Sequence, residues 1–218
     1  VAPAPHAWAV IVAGGSGIRF GSHKQFALLA GRPVLDWSLD AACEACAGVV
    51  VVVPATGPSP TLPAGVAAVV GGVTRSDSVR AGLGAVPDDA EIIVVHDAAR
   101  PLAGRALWGA VLDAVVAGAD GAIPVVPVTD TVRRVDVNGG LRSVDRAVLR
   151  AVQTPQAFRA GILRRAHAAG TDATDDATLV ESLGGTIALV DGHAANAKIT
   201  APSDLVVAAA LLPAVLTW

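Results

Sequence analysis

Apolar residues fall into two alternating kinds of pattern along the chain. Short uninterrupted runs read as strands buried on both faces, and runs spaced three and four apart read as helices. Trp8-Ala9-Val10-Ile11-Val12 is the first strand, and Pro33 to Ala45 is a helix with Pro33 in its first turn. Gly48 to Pro54, with five consecutive valines, is a second buried strand, and Val66 to Val70 is a short one after a Pro/Gly/Ser-rich loop. Val79, Leu83 and Val86 mark the next helix, Glu91 to Val95 the next strand, Leu107 to Val116 a helix and Ala122 to Val126 a strand. Repeated strand–helix units with fully apolar strands predict a mostly parallel sheet with helices on both faces.

Residues 128–150 break this rhythm. Thr131 to Val137 alternates in strand fashion, Asn138-Gly139-Gly140 is a hairpin turn, and Leu141 to Val148 returns. So polar a hairpin has little core of its own, and an isolated hairpin is marginal in water. It is expected to project as an arm and pack on a partner subunit. Beyond it come Gln153-Thr154-Pro155-Gln156, a helix near Gly161 to Ala169, Thr174-Asp175-Asp176-Ala177, a strand at Thr186 to Val190, Lys198-Ile199-Thr200 and a closing helix from Pro202. The expectation is one Rossmann-like, three-layer α/β domain over residues 1–218, with the arm inside it.

Composition narrows the function. Of 218 residues, 53% are hydrophobic and 16% charged, enough to bury a substantial core. A net charge of −3 gives no basic face for nucleic acid, and 3% aromatics provide no platform for stacking single-stranded bases. No apolar run approaches the roughly 20 residues of a membrane span. The first twelve residues lack the basic start of a signal peptide, so a soluble, cytoplasmic protein is expected. Cys43 and Cys46 form a lone C-x-x-C late in a helix, without the helix N-terminus a redox pair favours or the second pair a zinc site needs.

Candidate chemistry gathers in the loops after strands. Ala13-Gly14-Gly15-Ser16-Gly17-Ile18-Arg19-Phe20, closed by Lys24-Gln25, places three glycines in four positions beside two cations. Such a loop can turn backbone amides toward phosphate oxygens, although a Gly-rich turn can also be only a tight connection to a helix. It fits neither G-x-x-x-x-G-K-[ST] nor G-x-G-x-x-G. Gly71 to Ser78 and His96-Asp97-Ala98-Ala99-Arg100-Pro101 also follow strands. Ligands of open parallel sheets bind at the carboxyl ends of strands, so these loops are expected to converge. Asp97 suits a Mg²⁺ ligand facing phosphates, or equally a turn aspartate. Arg75 and Arg100, taken singly, could be surface charges; what favours function is that Arg19, Lys24, Arg75, Asp97 and Arg100 all lie in such loops.

Eight motifs occur in order: the glycine loop with Lys24-Gln25, Gly71-Gly72 through Arg75 to Asp77-Ser78-Val79, Val95 to Pro101, Asp130-Thr131, Val144-Asp145-Arg146, Thr154-Pro155-Gln156, Thr174 to Ala177 and Asn196 to Thr200. Together they resemble the 2-C-methyl-D-erythritol 4-phosphate cytidylyltransferase family over nearly the whole chain. The resemblance implies a nucleotidyltransferase fold, an arm that crosses to the other subunit of a homodimer, and transfer of CMP from CTP to a polyol phosphate with Mg²⁺. It further implies Arg19 and Lys24 as the catalytic cations. Ala13, Gly14, Gly15, Gly17, Gly72, Arg75, Ser78, Asp97 and Ala98 would hold CTP, with Asp97 beside the metal. Arg100, Thr131, Arg146 and Lys198 would bind the acceptor, Thr131 and Arg146 serving a neighbour's site.

The chain departs from the family pattern at Gly14, where alanine is usual, at Val73, often acidic, and at Ala195, often aspartate. Gly14 and Ala195 also suit a sister family that makes CDP-ribitol from D-ribitol 5-phosphate, so that acceptor is the alternative. A non-catalytic nucleotide-binding domain is a rival from another class, but it would not require the cations that this chain retains. His96, next to the Asp97 turn, is expected to be structural.

Overall fold

The computed structural model describes residues 6–15, 20–21, 23–170 and 172–215. The first apolar run forms β1 (Ala7–Val12). After the glycine loop, β2 (Leu28–Leu29) and β3 (Arg32–Pro33) pair as a small hairpin that leads into α1 (Val34–Ala45). The valine run is β4 (Gly48–Val53), followed by β5 (Ala67–Val70), α2 (Arg75–Leu83), β6 (Ile92–Asp97), α3 (Arg105–Val116) and β7 (Gly121–Pro127). The arm carries β8 (Arg133–Val135) and β9 (Leu141–Ser143). The chain returns through β10 (Arg150–Val152) and β11 (Gln156–Arg159) to α4 (Ala160–Ala168), α5 (Asp176–Ser182), β12 (Ile187–Asp191) and α6 (Pro202–Val215).

The sheet runs β5–β4–β1–β6–β11–β7–β12, with β10 continuing along β7 beside β11. β5, β4, β1 and β6 are parallel neighbours, as the fully apolar runs predicted. β11 runs antiparallel between β6 and β7, an insertion that the strand–helix rhythm did not foretell. Its short segment Gln156–Arg159 mixes polar and apolar residues and sits directly against α4, so periodicity alone read through it. The same reason hid α5: seven residues are too few to display a 3.6-residue period.

Alternate residues of each central strand enter different cores, which is why their sequences are apolar throughout. Ala9, Ile11, Val49, Val51 and Val94 pack with Leu35 and Leu39 of α1 and Trp108 and Val111 of α3. Val10, Val50, Val52, Ile93 and Val95 face Val79 of α2, Leu163 of α4 and Val180 of α5. A third cluster closes one end, where Ala208 and Leu212 of α6 meet Leu29, Val34, Leu102, Ala195 and Ile199. Among the described residues, no helix is long and apolar enough to cross a membrane.

The hairpin turn forms at the expected place. The Asp136 carboxylate accepts from the backbone N–H of Asn138 and Gly140 (3.0 and 2.7 Å), and Gly139 takes φ +80°. Only three residues on each side pair, fewer than the alternating pattern suggested. Val135, Val137, Leu141 and Val148 of the arm are all exposed. Cys43 is exposed at the surface of α1, and Cys46 ends that helix. Both are free thiols, and burial pushes the Cys46 thiol up to about 12, away from the reactive thiolate.

Candidate active site

The carboxyl ends of β1, β4, β5 and β6 open onto one cavity of about 620 Å³. Its walls come from the glycine loop, the Pro54–Thr56 turn, the Gly71–Ser78 turn and the Asp97–Ala99 turn, with Lys24 and Lys198 also lining it. The convergence expected of the post-strand loops is therefore present. Of the residues read as a nucleotide site, Ala13, Gly14, Gly15, Gly72, Arg75, Ser78, Asp97 and Ala98 line this space. Gly17 and Arg19 lie outside the described residues.

The start of the glycine loop is tied from below. Ala13 N–H donates to Val52 O (2.8 Å), and the buried Gln25 side chain donates through Nε2 to Ala13 O (2.8 Å) and Gly15 O (3.3 Å). Gln25 therefore spends its amide on loop carbonyls and holds the start of the loop at the cavity wall. Lys24, one residue earlier in the same 3₁₀ turn, donates from Nζ to the carbonyl of Ile199 (2.7 Å). That contact sets it beside Lys198.

The second wall begins at the N-terminus of α2. Thr74 and Asp77 form a reciprocal capping box, with Asp77 N–H on Thr74 Oγ1 at 3.0 Å and Thr74 N–H on Asp77 Oδ2 at 3.1 Å. Gly72 lies so close beneath that a Cβ there would stand 2.2 Å from Asp77 Cβ. Ser78 donates its hydroxyl to Thr74 O (3.0 Å). The N-terminus of α2 thus lies at the cavity edge, with a positive dipole end that suits anions.

Asp97 stands between cations. Its Oδ2 accepts from Lys198 Nζ at 2.6 Å and its Oδ1 from Arg75 Nε at 3.4 Å. Burial pushes the Asp97 carboxyl up, but Arg75 and Lys198 outweigh burial and hold it well below the usual carboxylate range. Burial likewise opposes the Arg75 charge, and Asp176 and Asp97 more than compensate, so its guanidinium is held above its ordinary pKa. The Asp97 backbone N–H donates to Thr154 Oγ1 (3.0 Å), and the Thr154 hydroxyl reaches His96 Nδ1 (3.0 Å). His96 is fully buried, with its ring 5.1 Å from that of Trp108, and burial pushes its imidazole down to about 4. It is a neutral strut beneath Asp97, in keeping with the structural role expected of it.

Three acceptor-site candidates lie elsewhere. Arg100 does not line the cavity; it donates to Asn196 O (2.7 Å) and Val152 O (3.3 Å), fastening β10 to the segment that carries Lys198. Thr131 and Arg146 are exposed on the arm, away from this chain's own cavity, and the Arg146 guanidinium is turned back to the Thr129 carbonyl. Sequence reasoning also passed over Gln25 and the clamp around Asn196. The fully buried Asn196 donates to Thr154 O (2.9 Å) and Gln153 Oε1 (3.2 Å). The available signal was that amides in Gln153-Thr154-Pro155-Gln156 and Asn196-Ala197-Lys198 interrupt otherwise apolar surroundings.

The profile of the family described as 2-C-methyl-D-erythritol 4-phosphate cytidylyltransferase, IspD, matches residues 7–214. A protein of that description from Rhodococcus jostii (strain RHA1) is 46% identical over 213 residues, covering 94% of each chain. One from Rubrobacter xylanophilus is 44% identical over 220 residues, again with 94% of each covered. The crystal structure of 2-C-methyl-D-erythritol 4-phosphate cytidylyltransferase from Thermus thermophilus superposes with a TM-score of 0.81 at 39% identity, over 94% of this chain and 98% of that one. The cation-flanked cavity at the sheet edge is thus set in a chain that belongs to the 2-C-methyl-D-erythritol 4-phosphate cytidylyltransferase family.

Proposed function

We infer that this chain transfers CMP from CTP to 2-C-methyl-D-erythritol 4-phosphate, giving 4-diphosphocytidyl-2-C-methyl-D-erythritol and pyrophosphate. The observation that carries the reading is the Lys198–Asp97 pair, 2.6 Å apart at the mouth of the glycine-loop cavity, in a chain matched by the family over residues 7–214. The acceptor's phosphate oxygen is already the nucleophile. With a second pKa of about 6 it is largely dianionic at neutral pH, so no general base is needed. Attack on the α-phosphorus builds charge on its oxygens, and catalysis becomes a matter of positioning and fixed positive charge.

Lys24 and Arg19 neutralise the triphosphate and the developing charge. The amides of the glycine loop and of Gly72, with Ser78, hold the nucleotide, and Arg75 and Ala98 complete its surroundings. Lys198 binds the acceptor's phosphate. Thr131 and Arg146 reach the neighbour's site across a homodimer built on the arm, an arrangement supported by their exposure and by the uncovered valines beside them. Arg100 joins Lys198 in binding the acceptor and also holds the Lys198 segment through the Asn196 carbonyl.

A Mg²⁺ ion fits this donor set. Asp97 is the one carboxylate lining the cavity among the described residues, and Mg²⁺ commonly takes one or two carboxylates and completes its shell with phosphate oxygens and water. Asp97 would hold it on the oxygen that only the long Arg75 contact occupies, leaving the other to Lys198, and when bound the ion supplies charge neutralisation and orientation of the phosphates.

The ribitol alternative rested on Gly14 and Ala195. Ala195 is 5% exposed and packs in the α6 cluster with Leu29 and Ile199 instead of lining the cavity. It therefore gives no reason to prefer a different acceptor. Mg²⁺-dependent pyrophosphate release from CTP, with each polyol phosphate offered separately, tests the reading. Turnover with 2-C-methyl-D-erythritol 4-phosphate and not with D-ribitol 5-phosphate is expected; the reverse preference, or release with neither, defeats it.

A further inference from the structure

The line of alternating charge at the cavity does not stop at Arg75. Arg75 Nη2 donates to Asp176 Oδ2 at 2.8 Å, and the other oxygen of that carboxylate accepts from His167 Nε2 at 2.9 Å. Asp176 and His167 are buried, with side chains 1% and 2% exposed. The neighbouring Asp175 already caps α5 by accepting from Thr178 N–H (3.1 Å), so the cap leaves Asp176 free to turn inward. Burial pushes the Asp176 carboxyl up, but the His167 hydrogen bond and the Arg75 charge outweigh it and keep it ionised.

The two contacts of Arg75 are unequal. The hydrogen bond to Asp176 is short, whereas Nε to Asp97 is long at 3.4 Å. Asp176 is therefore the anchor, and it limits how closely Arg75 approaches Asp97, which keeps its short contact with Lys198. With Asp176 neutral, Arg75 would have Asp97 as its sole carboxylate and would compete with Lys198 for it. A buried ion pair is a poor source of fold stability compared with apolar packing, which argues that its place beside the cavity has another use.

We propose that Asp176, steadied by His167, is a positioning residue for the reaction: it sets Arg75 in the nucleotide cavity and keeps Asp97 for Lys198. The proposal rests on the cytidylyltransferase reading of the cavity. Its test is a double-mutant cycle on kcat/KM for CTP in the full chain, using R75Q, D176N and R75Q/D176N, with thermal unfolding of each. Misplacing a fixed cation by an ångström can cost about 10²-fold, and a loss of that order is expected for D176N. Because Asp176 acts through Arg75, D176N added to R75Q should cost nothing further, and His167→Gln, which keeps a donor to Asp176, should retain most activity.

An equal loss from D176N in both backgrounds, or a lowered Tm with kcat/KM unchanged, overturns the proposal. If D176N alone does not fold, Asp176→Glu takes its place in the cycle. The same cycle read as CTP affinity by calorimetry separates the two readings. Wild type that binds CTP but never releases pyrophosphate would sink the cytidylyltransferase reading, while the affinity cycle would still decide for or against Asp176.

Discussion

Lys198 Nζ and Asp97 Oδ2 meet at 2.6 Å although 101 positions separate them in the chain. The contact joins the end of the central strand β6 to the segment just before the closing helix. Lys24 reaches the same segment through the Ile199 carbonyl at 2.7 Å. Three distant parts of the chain thus bring two lysines and one carboxylate to the wall of one cavity. Asp97 balances Lys198, and the Lys24 ammonium on the same cavity wall adds a positive charge that suits a triphosphate.

Lys24→Ala tests that arrangement. Removing one preorganised donor of this kind typically costs about 10²–10³ in rate, or about 2.7–4 kcal/mol of transition-state stabilisation. Lys24 lines the cavity, and losing its part-buried bond to the Ile199 carbonyl should leave the fold intact. Steady-state turnover and thermal unfolding measured together check this. Near-normal turnover would remove Lys24 from the mechanism.

The sheet and the cavity were legible because their signals are local. The valines of β4 and the apolar runs of β1 and β6 can only be buried strands, and the loops that follow them must share an edge. Asp97 and Lys24 could be singled out for the same reason. Asp176 and Gln25 could not, because their partners, Arg75 and the loop carbonyls of Ala13 and Gly15, are fixed by tertiary approach and leave no spacing in the chain. Arg100 shows the converse. Its loop placement is as expected, but its contacts to the carbonyls of Asn196 and Val152 are tertiary and leave no spacing in the chain. β11 was missed because four residues of mixed polarity running straight into α4 carry no period.

His96 gives a pH dependence with a definite sign. Its folded pKa is depressed from 6.5 to about 4, mainly by burial, although Asp97 pulls the other way. Between those values the unfolded chain binds a proton that the folded one refuses. Stability from this group is therefore fully present above 6.5 and is lost as pH falls toward 4. At pH 5 the loss is about 2 kcal/mol. Urea unfolding of wild type and His96→Gln at pH 7.5 and 5 reads it directly: the variant should start less stable but lose less between the two. Equal losses would mean that His96 is not the titrating group.

Gly14 and Gly72 should respond oppositely to alanine. A Cβ on Gly14 would meet Ser78 Oγ at 3.4 Å and Val53 O at 3.7 Å, ordinary contacts, so the alanine usual in the family fits. Gly14→Ala should leave turnover near wild type and, by restricting the unfolded chain, add about 0.4–1 kcal/mol of stability. On Gly72 the Cβ would stand 2.2 Å from Asp77 Cβ and force the capping box apart. Gly72→Ala should then lose about 0.5–2 kcal/mol with the cap and raise the KM for CTP. Denaturant titrations and CTP kinetics on the pair provide the comparison, and equal behaviour of the two variants would refute it.

The arm offers a test that separates a shared site from a self-contained one. Arg146 is exposed on the arm, whereas Lys24 lines the cavity of its own chain. If the arm serves a neighbour, Lys24→Ala and Arg146→Ala should each be inactive alone yet complement when mixed. In a mixed dimer one site combines both lesions. The other joins the intact Lys24 of one chain to the intact Arg146 of its partner. Random exchange makes half the dimers mixed and leaves one of two sites whole in each, so recovery should approach about one quarter of wild-type turnover. Co-refolding the two variants and assaying pyrophosphate release measures this. Activity that stays at the sum of the separate variants would mean that Arg146 acts within its own chain or not at all, and the arm would then lose its role at the partner's site.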